Sequence, residues 1–356
     1  MKKNRILAAL PVAALLIGFL IYRQAEMKQE VGDGLTRYTA SFLDVFDTQT
    51  EIVGYGTSEE EFSEQVKLLK DKLTFYHNLY DIYHDYEGIN SIKTINDNAG
   101  ITPVVVDKEI IALLEYGKEM YEYTAGQVNV AMGSVLTIWH EYREEGISNP
   151  QKAKLPDMQE LQTAAAHTDI NQIVIDEEAS TVYLADSKMS LDVGSIGKGY
   201  AVQRVAEYAR ELGIHNILLS VGGNVCAIGE KQDGSRWTLG IQNPDLKSDE
   251  EYSQKVKVKD ESVVTSGNYQ RYYTVDGVRY SHIVDPDTLM PADDFASVSI
   301  IAEDSGEADA LSTAVYNMPF EEGLAYINSL EDIEAMWIFK DGSIEYSEHF
   351  QDYVVE

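Results

Sequence analysis

The stretch from Met189 to Gly229, MSLDVGSIGKGYAVQRVAEYARELGIHNILLSVGGNVCAIG, constrains the fold of this chain more than any other part. It reads as a strand (Met189–Val193), a glycine-rich turn, a helix, a second strand and a glycine pair. Gly194, Gly197 and Gly199 supply a turn whose backbone can approach a ligand closely, with Ser195 and Lys198 inside it. From Tyr200 to Leu212, apolar residues recur at helical spacing (Ala201, Val205, Ala206, Ala209), and Gly213 is placed to end the helix. Ile217–Val221 then predicts a buried strand ahead of Gly222 and Gly223. A glycine turn feeding a helix N-terminus offers free N–H groups and partial positive charge, which suits a phosphate or diphosphate. A purely structural turn satisfies the same pattern. The spacing is GxxGxG, so neither the GxGxxG dinucleotide mechanism nor the GxxxxGK[ST] P-loop mechanism is supported.

The N-terminal segment places Lys2, Lys3 and Arg5 before an uncharged apolar run from Ile6 to Tyr22. No small-x-small cleavage site follows it, so residues 1–23 are expected to be an uncleaved anchor, with a removed signal as the alternative. The preceding cations put everything after the run outside the membrane. A linker over 24–35 leads to a single large domain over 36–356. The sole cysteine, Cys226, rules out an intramolecular disulfide. Sixty acidic residues against 28 basic ones give a net charge of -32, which argues against nucleic acid as a partner. The same charge repels a polyanionic ligand unless a cation accompanies it.

Strands are expected over Tyr38–Phe46 and Thr50–Tyr55, followed by a helix capped by Ser58 with Glu61 in a capping box. LYDIYHDYEGINSIKTINDNAG is rich in Tyr, Asn and Gly, and Tyr80, Tyr83 or Tyr86 could stack on a planar ring or pack under the loop. Helices are predicted over 107–124 and 156–167, and a hairpin joins 171–175 to 181–184. Strands follow at 237–241, 254–258 and 262–266. The segment SGNYQRYYTVDGVRYSHIVDP forms a hairpin turning at Asp276-Gly277. A strand over 296–302, a helix over 307–318 and strands at 334–339 and 344–347 complete an irregular alternation, hence an α+β class.

Two places could carry chemistry. Asp309 and Thr313, spaced i,i+4 near the start of a helix and outside the core, put a carboxylate and a hydroxyl on one face. Hard oxygen ligands of this kind suit Mg²⁺, and a helix cap with a satisfied hydroxyl is the alternative. His282 and Asp285, just past a strand, pair an imidazole with a carboxylate, which suits proton abstraction from a hydroxyl or simple packing. No HExxH, CxxC or GxSxG is present.

Taken together, LDVGSIGKGYAVQ, LLSVGGNVCAIG, TSGNYQRYYTVDGVRYSHIVDP and ADALSTA, in that order, resemble the successive motifs of the ApbE family of FAD:protein FMN transferases. The resemblance extends to YDIYHDYEGINSIKTIND and TAGQVNVAMGSVLTIW. It implies a T-fold-related α+β architecture of mixed sheets with packed helices in two intertwined subdomains, alongside the N-terminal transmembrane helix. It also implies an exported enzyme that cleaves FAD with Mg²⁺ and attaches FMN through a phosphoester to a Thr or Ser of a redox protein, releasing AMP. Some members instead hydrolyse FAD to FMN and AMP, and a non-catalytic FAD-binding protein is a third reading. By position, Asp309, Thr313 and the carbonyl of Gly197 hold Mg²⁺. Lys198, with Gly194 and Ser195, faces the diphosphate. His282 is the base, with Asp285 in support. Tyr83 and Asn96 contact the adenine end, while Gly222, Gly223, Ser266, Gly267 and Asn268 line the flavin side. Where the family usually has Ala, this chain has Gly197, and where it often has Gly, this chain has Ser195.

Overall fold

The structure, a computed structural model, describes residues 30–31 and 35–355. The expected anchor at 1–23 and most of the linker fall outside the described residues. Among those described, no helix is long and apolar enough to cross a membrane.

The chain opens with β1 (Glu30–Val31), β2 (Leu35–Val45) and β3 (Thr48–Gly56), then the long helix α1 (Glu59–Tyr80). Ser58 caps α1 by accepting from Glu61 N–H at 3.1 Å. The Glu61 carboxylate reaches back one residue further than a capping box requires, taking the Thr57 N–H at 2.9 Å. A helical excursion follows: α2 (Ile92–Asp97), β4 (Val104–Val105), α3 (Lys108–Tyr123), α4 (Gly133–Ser148) and α5 (Met158–Ala165). It leads into the β5 (Ile173–Asp176) and β6 (Thr181–Leu184) hairpin. Next come α6 (Gly197–Glu211), β7 (Ile217–Val221), β8 (Asn224–Ile228), β9 (Trp237–Gln242), β10 (Tyr252–Val258) and β11 (Ser262–Gly267). The last third holds β12 (Tyr272–Val275), β13 (Val278–Ser281), β14 (Phe295–Ala302), α7 (Ser305–Asn317), α8 (Phe320–Ile327), β15 (Glu334–Phe339) and β16 (Ile344–Tyr346).

Nine strands form one sheet in the order β1-β2-β3-β7-β8-β11-β14-β15-β16. The α+β class stands, but the expectation of mixed sheets does not. Every ladder between named strands is antiparallel, because hairpins and long helical returns bring each strand back in the opposite sense. Side-chain alternation then gives the sheet two buried faces. Ile52, Val264 and Ile300 point into the main core with α1, α6 and α7. Their neighbours Val53, Val263 and Ile301 pack against the β9–β10 ladder and Phe350. A third cluster, around Trp139, Leu161, Tyr273 and Leu289, ties α4 and α5 to the β12–β13 hairpin.

Two local expectations are corrected. Met189–Val193 is not a strand of a sheet; Ser190 makes one parallel bridge to Met132, and the segment is held by burial of Met189, Leu191 and Val193. Gly197, Lys198 and Gly199 do not precede the helix but form the first turn of α6. The β12–β13 turn is as read, with Asp276 at φ 50° and Gly277 at φ 83°.

Candidate functional site

The N-terminus of α6 lacks a side-chain cap, since Ile196 stands at the N-cap position. The missing acceptor comes from another helix: Asp309 on α7 accepts from Gly199 N–H through Oδ2 at 2.8 Å. This contact depends on Gly199 having no side chain, because a Cβ there would lie 2.3 Å from Ser305 O and 2.4 Å from Asp309 Cβ. Lys198 Nζ lies 3.6 Å from Asp309 Oδ1, so one carboxylate serves both the helix terminus and an ammonium. Asp309 is only 4% exposed, which corrects the expectation that it lies outside the core near the helix start.

These groups open onto a cavity of about 420 Å³, a size typical of small-molecule sites. Gly194, Ser195, Gly197, Lys198, Asp309 and Thr313 line it on one side. Gly222, Gly223, Ser266, Gly267, His282 and Tyr83 also line it. Gly222 (φ 55°) and Gly223 (φ 96°) occupy backbone conformations that favour glycine and turn the chain from β7 into β8 at the cavity wall. Ser266 shares a hydrogen bond with Ser312 at 2.8 Å. The Thr313 hydroxyl makes no hydrogen bond among the described residues.

Three expected site residues stand elsewhere. The Asn96 amide is spent on the backbone of Leu191, accepting its N–H at 2.7 Å and donating to its carbonyl at 3.0 Å. Asn96 therefore anchors the segment that leads into Gly194. Asn268 donates to Phe295 O at 3.1 Å and does not line the cavity. Asp285 does not support His282. Its carboxylate accepts from Asp287 N–H and Thr288 Oγ1, both at 2.8 Å, and so closes a turn. Of the three tyrosines, Tyr80 and Tyr83 line the cavity, whereas the Tyr86 hydroxyl donates to Asp81 at 2.6 Å.

Residues that the sequence reading did not single out complete the cavity. Helix α4 contributes Leu136, Trp139, His140 and Arg143 at helical spacing, a pattern present in MGSVLTIWHEYR, and Arg271 joins them from the segment before β12. Arg143 Nη2 donates to His140 Nδ1 at 2.7 Å, and the Tyr83 ring lies against His140 with centroids 5.3 Å apart. Burial and the charges of Arg271, Arg143 and Lys198 push the His282 imidazole down to about 3, so it is neutral at ordinary pH. Its Nδ1 is buried and makes no hydrogen bond. Burial raises the pKa of Asp192, whose carboxyl accepts from Gly194 N–H at 2.8 Å. In a chain of net charge -32, Arg143, Lys198 and Arg271 line this cavity beside the carboxyl groups of Asp47, Asp81, Asp192 and Asp309, so an anion bound here relies on those three cations.

The donor set beside Lys198 fits a hard divalent cation. Among the described residues no group of three or more His, Cys, Asp or Glu forms a closed metal cage. One carboxylate, one free hydroxyl and the Gly197 backbone leave the remaining coordination to water or phosphate, the arrangement Mg²⁺ prefers.

Known proteins resemble the chain in sequence and in fold. The chain is 34% identical over 279 residues to the FAD:protein FMN transferase of Treponema pallidum, covering 74% of this chain and 75% of the relative. It is 31% identical over 267 residues to the protein of the same name from Klebsiella pneumoniae, covering 74% and 80% respectively. The solved structure of the ApbE protein from Thermotoga maritima superposes with a TM-score of 0.78 at 28% identity, covering 90% of this chain and all of that one. The flavin transferase ApbE from Vibrio cholerae shares the fold, with a TM-score of 0.73 at 22% identity over 89% of this chain and 99% of that one. The family model described as the ApbE family matches residues 46–337, nearly the whole of the described fold, and the chain belongs to that family.

Proposed function

We propose that this protein is an FAD:protein FMN transferase. It moves FMN from FAD to a Thr or Ser hydroxyl of an extracytoplasmic redox protein and releases AMP. The observation that carries this reading is the meeting of Lys198, Asp309, Thr313 and neutral His282 at one cavity in an otherwise strongly acidic protein. In the reaction, the acceptor oxygen attacks the FMN-side phosphorus, the bond to the AMP phosphate breaks, and the hydroxyl proton passes to the His282 imidazole. A base in that position contributes about 10²–10⁴-fold; His282 is unprotonated, and the bound diphosphate, which favours the protonated imidazole, raises its basicity from the low value of the empty cavity.

Lys198 holds the diphosphate, while Arg143 and Arg271 add positive charge to the same cavity. Asp309, Thr313 and the Gly197 carbonyl would hold Mg²⁺. When bound, the ion offsets diphosphate charge and orients its oxygens. The Gly222–Gly223 turn, Ser266 and Gly267 take the flavin side, and Tyr83 takes the adenine end. The basic and apolar N-terminal segment anchors the chain in the membrane, with the catalytic domain on the extracytoplasmic side.

The test incubates the full chain with FAD, Mg²⁺ and candidate acceptor proteins, then reads flavin fluorescence on a denaturing gel and AMP in solution. A fluorescent acceptor band supports transfer. AMP without a labelled acceptor makes the protein an FAD diphosphatase, and neither product leaves only an FAD-binding protein.

A further inference from the structure

The tip of the β2–β3 hairpin is an anomaly. Val45 pairs with Thr48, so the loop has two residues, Phe46 and Asp47, with φ of 53° and 50°. Two-residue loops of this kind are normally built from Asn and Gly, because other side chains resist the left-handed region. A bulky Phe there has to be held from outside. The holder is His77, on α1: Phe46 N–H donates to His77 Nδ1 at 3.1 Å, and the two rings meet edge to face at 5.5 Å.

The bond fixes the imidazole's chemistry. An Nδ1 that accepts carries no proton, so the N–H is on Nε2, which lies 3.2 Å from Tyr86 Oη. The Tyr86 hydroxyl donates to Asp81 Oδ2 at 2.6 Å. Asp81 in turn accepts from Tyr83 N–H at 2.6 Å, His84 N–H at 3.1 Å and His84 Nδ1 at 2.9 Å. Burial pulls the Asp81 carboxyl up, but these bonds outweigh it and hold it below the usual carboxylate range. The chain of bonds therefore runs from the hairpin tip through His77 and Tyr86 to the loop that carries Tyr83. Phe46, Asp47, His77, Asp81 and Tyr83 all line the cavity.

We infer that His77 is a positioning residue for ring binding: its imidazole locks Phe46 and Tyr83, two aromatic walls on separate elements, for a planar ring of the substrate. This rests on the flavin reading above, with FAD as the ligand. Neither aromatic is fixed by its own backbone, since one sits on a strained hairpin tip and the other on a half-exposed loop. His77 makes one unit of them, so the binding entropy of ordering both walls is met in the folded state.

The test compares His77→Leu, which loses the acceptor, with His77→Asn, whose side-chain oxygen can replace Nδ1. The probe is FAD itself, read by quenching of its fluorescence on binding to the full chain, alongside kcat and KM for AMP release. His77→Leu is expected to raise Kd and KM about tenfold, equivalent to 1.4 kcal/mol, with kcat within about twofold of wild type. His77→Asn is expected to stay within about threefold in Kd. Should His77→Leu fail to fold, Tyr86→Phe, which removes one hydroxyl from the relay, is expected to weaken FAD binding about threefold at constant kcat. The inference is overturned if His77→Leu and Tyr86→Phe bind FAD as wild type does, if Asn does no better than Leu, or if kcat falls while KM holds. A wild-type chain that does not bind FAD at all overturns the flavin reading as well, and so separates the two failures.

Discussion

Replacing Asp309 separates its structural work from its chemical work. The carboxylate is buried, accepts the Gly199 N–H at 2.8 Å and lies 3.6 Å from the Lys198 ammonium. A hydrogen bond to a charged group contributes about 1.5–3 kcal/mol, and losing the acceptor leaves the first turn of α6 uncapped. The Lys198 interaction adds less, about 0.5 kcal/mol, because that side chain is partly exposed and solvent screens it. Asp309→Ala is therefore expected to cost about 2–3 kcal/mol in urea unfolding followed by circular dichroism. Asp309→Asn keeps an oxygen for Gly199 and is expected to cost about 1 kcal/mol or less. Both variants should lose Mg²⁺-dependent AMP release, because an amide oxygen is a poor substitute for a carboxylate on a hard cation. If Asp309→Ala is as stable as wild type, the cap assigned to α6 is wrong. If Asp309→Asn turns over normally, the carboxylate is not a metal ligand.

Further expectations concern His282, Gly199 and the N-terminal segment. His282→Asn should keep FAD binding and lose transfer by about 10²–10⁴-fold; a parallel loss of FAD affinity would make His282 a binding residue. Because the folded imidazole is depressed to about 3, the unfolded chain takes up a proton first as pH falls below about 6.5, so wild type should lose stability there relative to His282→Asn. The bound diphosphate favours the protonated imidazole, so the acid limb of kcat should lie at higher pH than that of kcat/KM; coincident limbs would contradict this. Gly199→Ala should cost about 3 kcal/mol or more, because its Cβ meets the fixed Ser305 carbonyl, and a wild-type unfolding midpoint would refute the close approach of α6 and α7. Finally, the protein should fractionate with membranes and retain residues 1–23, whereas a mature N-terminus beyond residue 24 would show a cleaved signal.

What could be read from sequence was governed by local rules. Asp276-Gly277 and Gly213 were legible because positive φ demands particular residues, and the i,i+4 pair Asp309 and Thr313 because a helix imposes its own spacing. The parts that failed depend on which partner a side chain finds, whether distant or close by in the chain. Asn96 answers to Leu191, and nothing near Asn96 in sequence announces that. Asp285 looked like a histidine's partner, but its own turn consumed both carboxylate oxygens. Helix α4, and with it Arg143, lies in a stretch read only through the family resemblance of TAGQVNVAMGSVLTIW, which stops short of Arg143. In the Phe46-Asp47 turn only Asp47 is an ordinary turn residue, and Phe46 is held in place by His77, 31 residues away.

The long excursion between β3 and β7 also dictates the order in which the molecule can be assembled. Thr50 pairs with Val221 and Gly54 with Ile217, so the centre of the large sheet joins segments separated by the six helices α1 to α6. Loop closure over such a span is slow, and until residues 217–221 have been synthesised β3 offers an open edge to any passing strand. Both cavity walls contributed by β11 and α7 come later still. The ligand-binding cavity is thus completed only when the final third of the polypeptide arrives, and a nascent chain needs protection from aggregation until then.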